Sequence, residues 1–155
     1  MEPLEVTAYV LHSVFAGLWT GTVLFVTAAV LPLARDGSLN SAPLAVVTAR
    51  LRTVTRASSI FLLLTGLYLG LARSYTVESL TGSTGGYLVV AMVVLWVLLA
   101  GMVEVGAGKL SEGTDQNKVR EPARAARPFL LAGSLFGVLL LVVSGLVAAH
   151  NVGAL

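Results

Sequence analysis

Two histidines are the residues of this chain best suited to chemistry within an apolar protein. His12 and His150 are its only histidines, and each lies in or beside a long stretch without charge. Ionisable side chains are costly inside a membrane span and usually serve a function there. A neutral imidazole ligates haem iron, copper or zinc. Two axial histidines would hold a b-type haem, since the chain has no cysteine for covalent attachment.

Each histidine also has a plainer interpretation. His12 is flanked by apolar residues, so a hydrogen-bonded packing role stands beside the role of a ligand. His150 lies five residues before the last residue of the sequence, where an imidazole can sit among lipid headgroups. A difference in depth between the two rings would give each its own partner instead of one shared metal.

Several other side chains are weaker candidates for a site. Trp19 follows His12 by seven residues and therefore shares its helix face, where it would either wall a cofactor pocket or simply pack. Tyr68 is the most deeply placed of the tyrosines and is a candidate ligand contact. Met92 and Met102 carry thioethers, which suit Cu(I), but they are about 15 Å apart along one helix.

The elements that must position these residues are membrane helices. Hydrophobic residues make up 56% of the chain and charged residues 12%, whereas a soluble domain carries roughly 25% charged residues. A span requires about 20 mostly apolar residues. The sequence therefore predicts one all-α domain over residues 1–155, an integral membrane up-down four-helix bundle. Its helices are expected at about residues 6–31, 55–73, 85–104 and 128–150.

The distribution of basic residues predicts the orientation of the bundle. Nine of the ten Lys and Arg residues lie in or beside the first and third connections, and such connections normally face the cytoplasm. Both termini and the loop 74–84 are then extracytoplasmic (N-out/C-out). The first helix is expected to be retained, because Glu2 and Glu5 replace the basic residues of a signal peptide. The excess of Arg over Lys, eight to two, suggests a GC-rich prokaryote and hence its plasma membrane.

Glycine pairs predict where the helices approach one another. Gly17 and Gly21, Gly66 and Gly70, and Gly133 and Gly137 each form a small-xxx-small pattern. Such pairs bring helix backbones close together, allow homo-oligomers, or make room for a flat cofactor. The lipid bilayer is the expected partner, and the net charge of +2 gives no basis for a nucleic-acid partner.

Three sequence segments resemble those of a known family. The first helix reads Leu11-His12, then Trp19-Thr20-Gly21 and Leu31-Pro32; residues 64–68 read L-T-G-L-Y, and residues 83–88 read S-T-G-G-Y-L. In order and spacing they resemble the copper-resistance D (CopD) family over residues 8–100. A more distant similarity to HemJ-type protoporphyrinogen oxidases implies that His12 ligates haem. Both families tend to have a lysine early in helix three, where this chain has Ala91-Met92, which argues against a porphyrin-oxidising enzyme.

The leading hypothesis is a haem b-binding, CopD-like membrane protein that transfers electrons or senses redox state near the outer face. His12 and His150 would be its axial ligands, and a redox partner would exchange electrons with it. Copper transport or handling is the first alternative, with the histidines and methionines as stations along a path. The second alternative is a non-catalytic accessory subunit of a larger membrane complex.

Overall fold

The fold is a bundle of long helices. A computed structural model describes residues 2–151, and the described chain is helical with no strand. Its helices are α1 (Pro3–Phe25), α2 (Leu31–Asp36), α3 (Ser41–Ala72), α4 (Val77–Gly82), α5 (Thr84–Asp115) and α6 (Arg120–Asn151). A π-helical turn, Val26–Val30, joins α1 and α2 into one continuous helix. The prediction of an all-α fold is confirmed.

Four helices are long and apolar enough to cross a membrane: the continuous helix Pro3–Asp36, α3, α5 and α6. With 32 to 34 residues each, they are about 48–51 Å long. The hydrocarbon core of a bilayer is only about 30 Å thick. Much of the excess consists of residues 41–54 and 105–115, which are helical here although the sequence had placed them in connections.

The four helices form a square arrangement. The helix α1 packs against α3 and α6, and α5 also packs against α3 and α6, so α1 and α5 stand diagonally across the bundle. One end of the bundle, here called the basic end, contains the connections 37–40 and 116–119. Nine of the ten Lys and Arg residues lie toward this end. The opposite end, here called the terminal end, holds the start of α1, the end of α6 and the short helix α4.

The π-helical turn has a local cause in the sequence. Pro32 has no backbone N–H and cannot complete the usual helical hydrogen bond one turn back, and the chain widens into the turn just before it. Within this turn, the Thr27 hydroxyl lies 2.7 Å from the Val23 carbonyl and 3.3 Å from the Leu130 carbonyl of α6. Ser134 donates a further hydrogen bond to Thr27, 3.0 Å long. The widened turn is thus tied to α6.

Glycines allow the closest helix contacts. A β-carbon at Gly137 would lie 3.0 Å from the Thr20 Cγ2 atom, and one at Gly133 would lie 3.1 Å from the Val103 Cγ2 atom. The close contact predicted for this pair is therefore confirmed. In contrast, β-carbons at Gly17 and Gly21 would meet no described atom of another residue within 4 Å, so this pair makes no close contact within the chain.

Replacing Gly137 by valine should destabilise the bundle, because the new side chain would overlap Thr20 on α1. The expected loss in unfolding free energy is about 1–3 kcal/mol, typical of overpacking. Thermal unfolding of the purified protein in detergent measures it. Gly145→Val is the matched control on the same helix, because Gly145 is exposed and open. Equal destabilisation by both variants would show that Gly137 is not a packing contact.

Candidate functional site

His12 lies on the inward face of α1, four residues before buried Ala16. Its Nδ1 atom is 2.8 Å from the Thr65 Oγ1 atom on α3. The Thr65 hydroxyl itself lies 2.6 Å from the Phe61 carbonyl, to which it donates. When the single hydroxyl hydrogen is donated to Phe61, Thr65 accepts from the imidazole and His12 Nδ1 is the donor. A neutral ring in this tautomer carries its free lone pair on Nε2.

Gly66 leaves room for the edge of the His12 ring that bonds Thr65. A β-carbon at Gly66 would lie 3.3 Å from the His12 Cε1 atom and 3.8 Å from Nδ1. Among residues 2–151, no hydrogen bond is made to Nε2. Histidines that ligate metals almost always donate their other ring N–H to an oxygen, and His12 has this arrangement.

Aromatic stacking holds α1 and α3 together one turn deeper in the bundle. The Phe15 and Phe61 rings are stacked, with centroids 4.3 Å apart and an interplanar angle of 7°. Phe15 follows His12 by three residues, and Phe61 precedes Thr65 by four. The hydrogen bond of the imidazole is thus placed by two helices that also contact each other through this pair.

Large side chains are less covered around His12 than nearer the basic end. The fully or almost fully buried large side chains closest to this region are one per spanning helix: Trp19, Leu62, Leu99 and Leu140. Toward the terminal end Ala8 and Ala16 are still buried, but five larger or polar side chains are only half-buried: His12, Thr65, Met92, Trp96 and Ser144. These five residues define what is called the interior opening below. On α5, residues 87–98 include none that is buried, a length of about 18 Å.

Unpaired polar groups lie near the floor of the interior opening. The Trp96 indole N–H is buried and has no hydrogen-bond partner in the described part of the chain. The hydroxyl of Ser58, a fully buried residue of α3, also lacks a partner there. A buried donor left unpaired costs about 1–3 kcal/mol. Both groups have hydrogen-bonding capacity that the described residues do not use.

Met92 occupies the inward face of the helix diagonal to His12. It lies seven residues after buried Gly85 and seven before buried Leu99, two helical turns in each direction. Since α1 and α5 stand diagonally, Met92 and His12 are carried by helices on opposite corners of the bundle.

The depths of these two residues are similar. The Arg56–Glu104 pair marks a common level on α3 and α5. From this level, Met92 is twelve residues away along α5 and Thr65 is nine residues away along α3. Because α3 and α5 run in opposite directions, Met92 is about three residues, or 4–5 Å, nearer the terminal end than Thr65. Thr65 is the hydrogen-bond partner of His12, so the imidazole and the thioether lie within about one helical turn of each other in depth.

His150 contacts a different helix from His12. A β-carbon at Gly85 would lie 3.0 Å from the His150 Cδ2 and Nε2 atoms and 3.2 Å from the Tyr75 hydroxyl. The His150 ring therefore lies over the start of α5, next to Tyr75, whereas His12 is bonded to α3.

The two imidazoles also differ in depth. Thr20 on α1 contacts Gly137 on α6. On α1, His12 lies eight residues from Thr20 toward the terminal end. On α6, His150 lies thirteen residues from Gly137 in the same direction. His150 is therefore about 7–8 Å farther out than His12. The structure does not bring the two rings together, and a metal shared by both remains a prediction.

The other two predicted site residues have distinct surroundings. Trp19 is fully buried, and its indole Nε1 donates to the Thr55 hydroxyl over 3.1 Å. It belongs to the packed floor below the interior opening. Tyr68 is half-buried on α3, three residues beyond Thr65, and lies closer to the terminal end.

Sequence reasoning missed Thr65 and Trp96. A threonine inside an apolar helix commonly bonds its own backbone, and a tryptophan in such a helix is usually core. Neither pattern indicates that the residue faces His12 or the interior opening.

The two histidines do not belong to a larger set of metal ligands. Within residues 2–151, no three His, Cys, Asp or Glu residues are grouped to hold a metal ion.

Comparison of the chain with protein-family models, with characterised proteins and with solved structures gave no match. The resemblance to the CopD and HemJ-type families therefore stays a prediction made from the sequence segments alone.

The two tryptophans should respond differently to replacement by phenylalanine. Trp19→Phe removes a buried hydrogen bond to Thr55 and should lower the unfolding free energy by roughly 1–3 kcal/mol. Trp96→Phe removes an indole N–H without a partner and should cost much less. Thermal unfolding of the protein purified without added cofactor distinguishes them. A larger loss from Trp96→Phe would contradict the assignment of Trp19 to the floor.

Proposed function

We propose that this chain is a haem b-binding, CopD-like membrane protein that transfers electrons or senses redox state near the outer face of the membrane. His12 would hold the haem iron in this proposal. The observation that supports it is the hydrogen bond from His12 Nδ1 to Thr65, because it leaves Nε2 with a free lone pair among side chains that are only half-buried.

The residues around the interior opening supply several groups that would hold a haem. His12 offers the ligand nitrogen, and Thr65 fixes the ring tautomer and orientation. The unpaired Trp96 N–H can donate to a polar substituent, and the surrounding helices supply apolar contact. Bound haem would supply one-electron chemistry. The chain would orient it and limit its contact with water, both of which tune a haem potential.

Met92 would be a second residue to hold the haem. It lies on the diagonal helix at a depth similar to that of His12, whereas His150 lies over Gly85 and farther out. A His/Met pair raises the reduction potential of a haem relative to two histidines. His150 beside Tyr75 is the alternative second ligand, and it requires the end of α6 to turn toward α1.

Copper handling is the second candidate function. A thioether and an imidazole at similar depth also suit Cu(I), so Met92 and His12 support this candidate too. Met102 lies ten residues away on α5, about 15 Å from Met92. Metal analysis of the purified protein separates copper from haem. A colourless preparation without metal that co-purifies with other membrane proteins would instead support an accessory subunit.

The proposed location is the plasma membrane of a prokaryote, with both termini extracytoplasmic. The support is the basic end, which carries nine of the ten Lys and Arg residues, since positively charged connections are retained in the cytoplasm. The interior opening lies toward the terminal end, and a redox partner would then approach it from outside the cell.

His12→Ala should abolish the haem Soret band of protein purified after haem supplementation, because it removes the ligand nitrogen. Thr65→Val should keep the fold but weaken haem affinity about 10–100-fold, the usual effect of losing the partner of a ligating histidine. Spectroscopic haem titration measures both. Ser13→Ala is the control, because the Ser13 hydroxyl bonds only the Tyr9 carbonyl of its own helix.

The same titration identifies the second ligand. Met92→Ala should remove the near-infrared charge-transfer band of a thioether-ligated ferric haem and lower the reduction potential, while His150→Ala should change neither. The reverse result would assign the second ligand to His150. An unchanged spectrum in His12→Ala would refute the haem site altogether.

Cysteine labelling should establish the orientation, because the natural chain has no cysteine. A membrane-impermeant maleimide should label Glu78→Cys, on α4, in intact cells. Gln116→Cys, in the connection at the basic end, should react only after lysis. Both positions are exposed. The opposite labelling pattern would place the termini in the cytoplasm.

A further inference from the structure

A groove of about 370 Å³ runs between α3 and α5 at the basic end. The guanidinium groups of Arg52 and Arg56 line it, together with several hydroxyls that include those of Thr53 and Ser111. It lies on the opposite half of the bundle from the interior opening and shares no residue with it. Its chemistry is therefore separate from the proposed haem site.

The two arginines share a single nearby carboxylate. Arg56 binds Glu104 through two hydrogen bonds of 2.9 and 3.3 Å. Arg52 Nε is 3.7 Å from the same carboxylate, and this buried nitrogen has no hydrogen-bond partner among the described residues. One positive charge is therefore left over beside the groove. Asp115 also lines the groove, but it lies about 10 Å along the bundle axis beyond the level of Arg52, roughly one Debye length at 0.1 M salt.

The depth of the arginines matches the headgroup layer of a bilayer. Arg56 lies at the edge of the apolar segment predicted at residues 55–73, and Arg52 lies one turn, about 6 Å, beyond it. The polar layer on each side of the hydrocarbon is about 5–8 Å thick. The leftover charge of Arg52 and the exposed guanidinium of Arg56 therefore lie where lipid phosphates are found.

An apolar stripe continues from the groove toward the middle of the membrane. Val90, Val94, Val97 and Gly101 follow one another at helical spacing on the face of α5 that carries Glu104, and all are exposed. A β-carbon at Gly101 would have no neighbour within 4 Å. This stripe is where acyl chains would lie if a headgroup occupied the groove.

We propose that the groove binds the phosphate of an acidic phospholipid from the leaflet at the basic end, with its acyl chains along the stripe. Basic pockets between spanning helices on the cytoplasmic side are known to hold such headgroups. Free inorganic phosphate offers the same charge but none of the apolar contact, so it should bind far more weakly. The proposal does not depend on haem.

The test titrates the full-length protein in a zwitterionic detergent with phosphatidylglycerol, phosphatidylcholine or inorganic phosphate, and follows the midpoint of thermal unfolding. Phosphatidylglycerol should raise the midpoint at lower concentration than phosphatidylcholine, and phosphate alone should have no effect. Arg52→Gln keeps the Arg56–Glu104 pair and should weaken the apparent affinity for phosphatidylglycerol roughly five- to tenfold. Arg50→Gln is the control, since Arg50 is exposed and does not line the groove.

A second variant protects the test against a folding defect in Arg52→Gln. Ser111→Asp adds a negative charge to the groove without touching either arginine, and it should produce a similar loss of affinity. Equal weakening by Arg50→Gln would reveal general surface attraction and overturn the proposal. So would an equal response to the two lipids, or a full response to phosphate alone.

Discussion

The close approach of α6 to its neighbours is the constraint on which the rest of the bundle depends. Lipid provides no hydrophobic drive for helices to associate, so tight contact and hydrogen bonds must hold them together. Gly106, Gly133 and Gly137 supply that contact, and each would bring a β-carbon to about 3 Å from a side chain of another helix. All three lie between the basic end and the middle of the bundle. The packed core is consequently concentrated there, and the terminal half is less completely filled.

In contrast, α1 is joined to α3 mainly by polar and aromatic contacts. The Trp19–Thr55 hydrogen bond, the Phe15–Phe61 stack and the His12–Thr65 hydrogen bond follow one another toward the terminal end. Each lies about one turn from the next. Hydrogen bonds are strong in a medium of low dielectric, and this series extends past the packed floor. The His12 ring is therefore held in place in the half of the bundle where large side chains are less covered.

Hydropathy and spacing predicted the number of helices and the inward placement of His12, since seven residues separate it from Trp19. They did not predict the direction of His150. Thirteen residues separate His150 from the Gly137 contact, and at 3.6 residues per turn the side chain points far from the α1-facing side of α6. That direction depends on which face of α6 meets α1, and glycine patterns alone do not define it. Hydropathy locates the apolar segment that crosses the membrane, not the full length of the helix. Residues 41–54 lie outside that segment, so the sequence predicted a connection there although they are helical.

The two proposed sites both include residues of α3 and α5. The Arg56–Glu104 pair holds these helices together near the basic end. Beyond it, Leu63 on α3 and Val97 on α5, each seven residues from a member of the pair, are exposed. The apolar stripe is thus open on the lipid side, and Met92 and Trp96 of the same helix are half-buried. Because a headgroup phosphate would compete with Glu104 for the arginines, lipid binding at the basic end would act on the ion pair that joins α3 to α5.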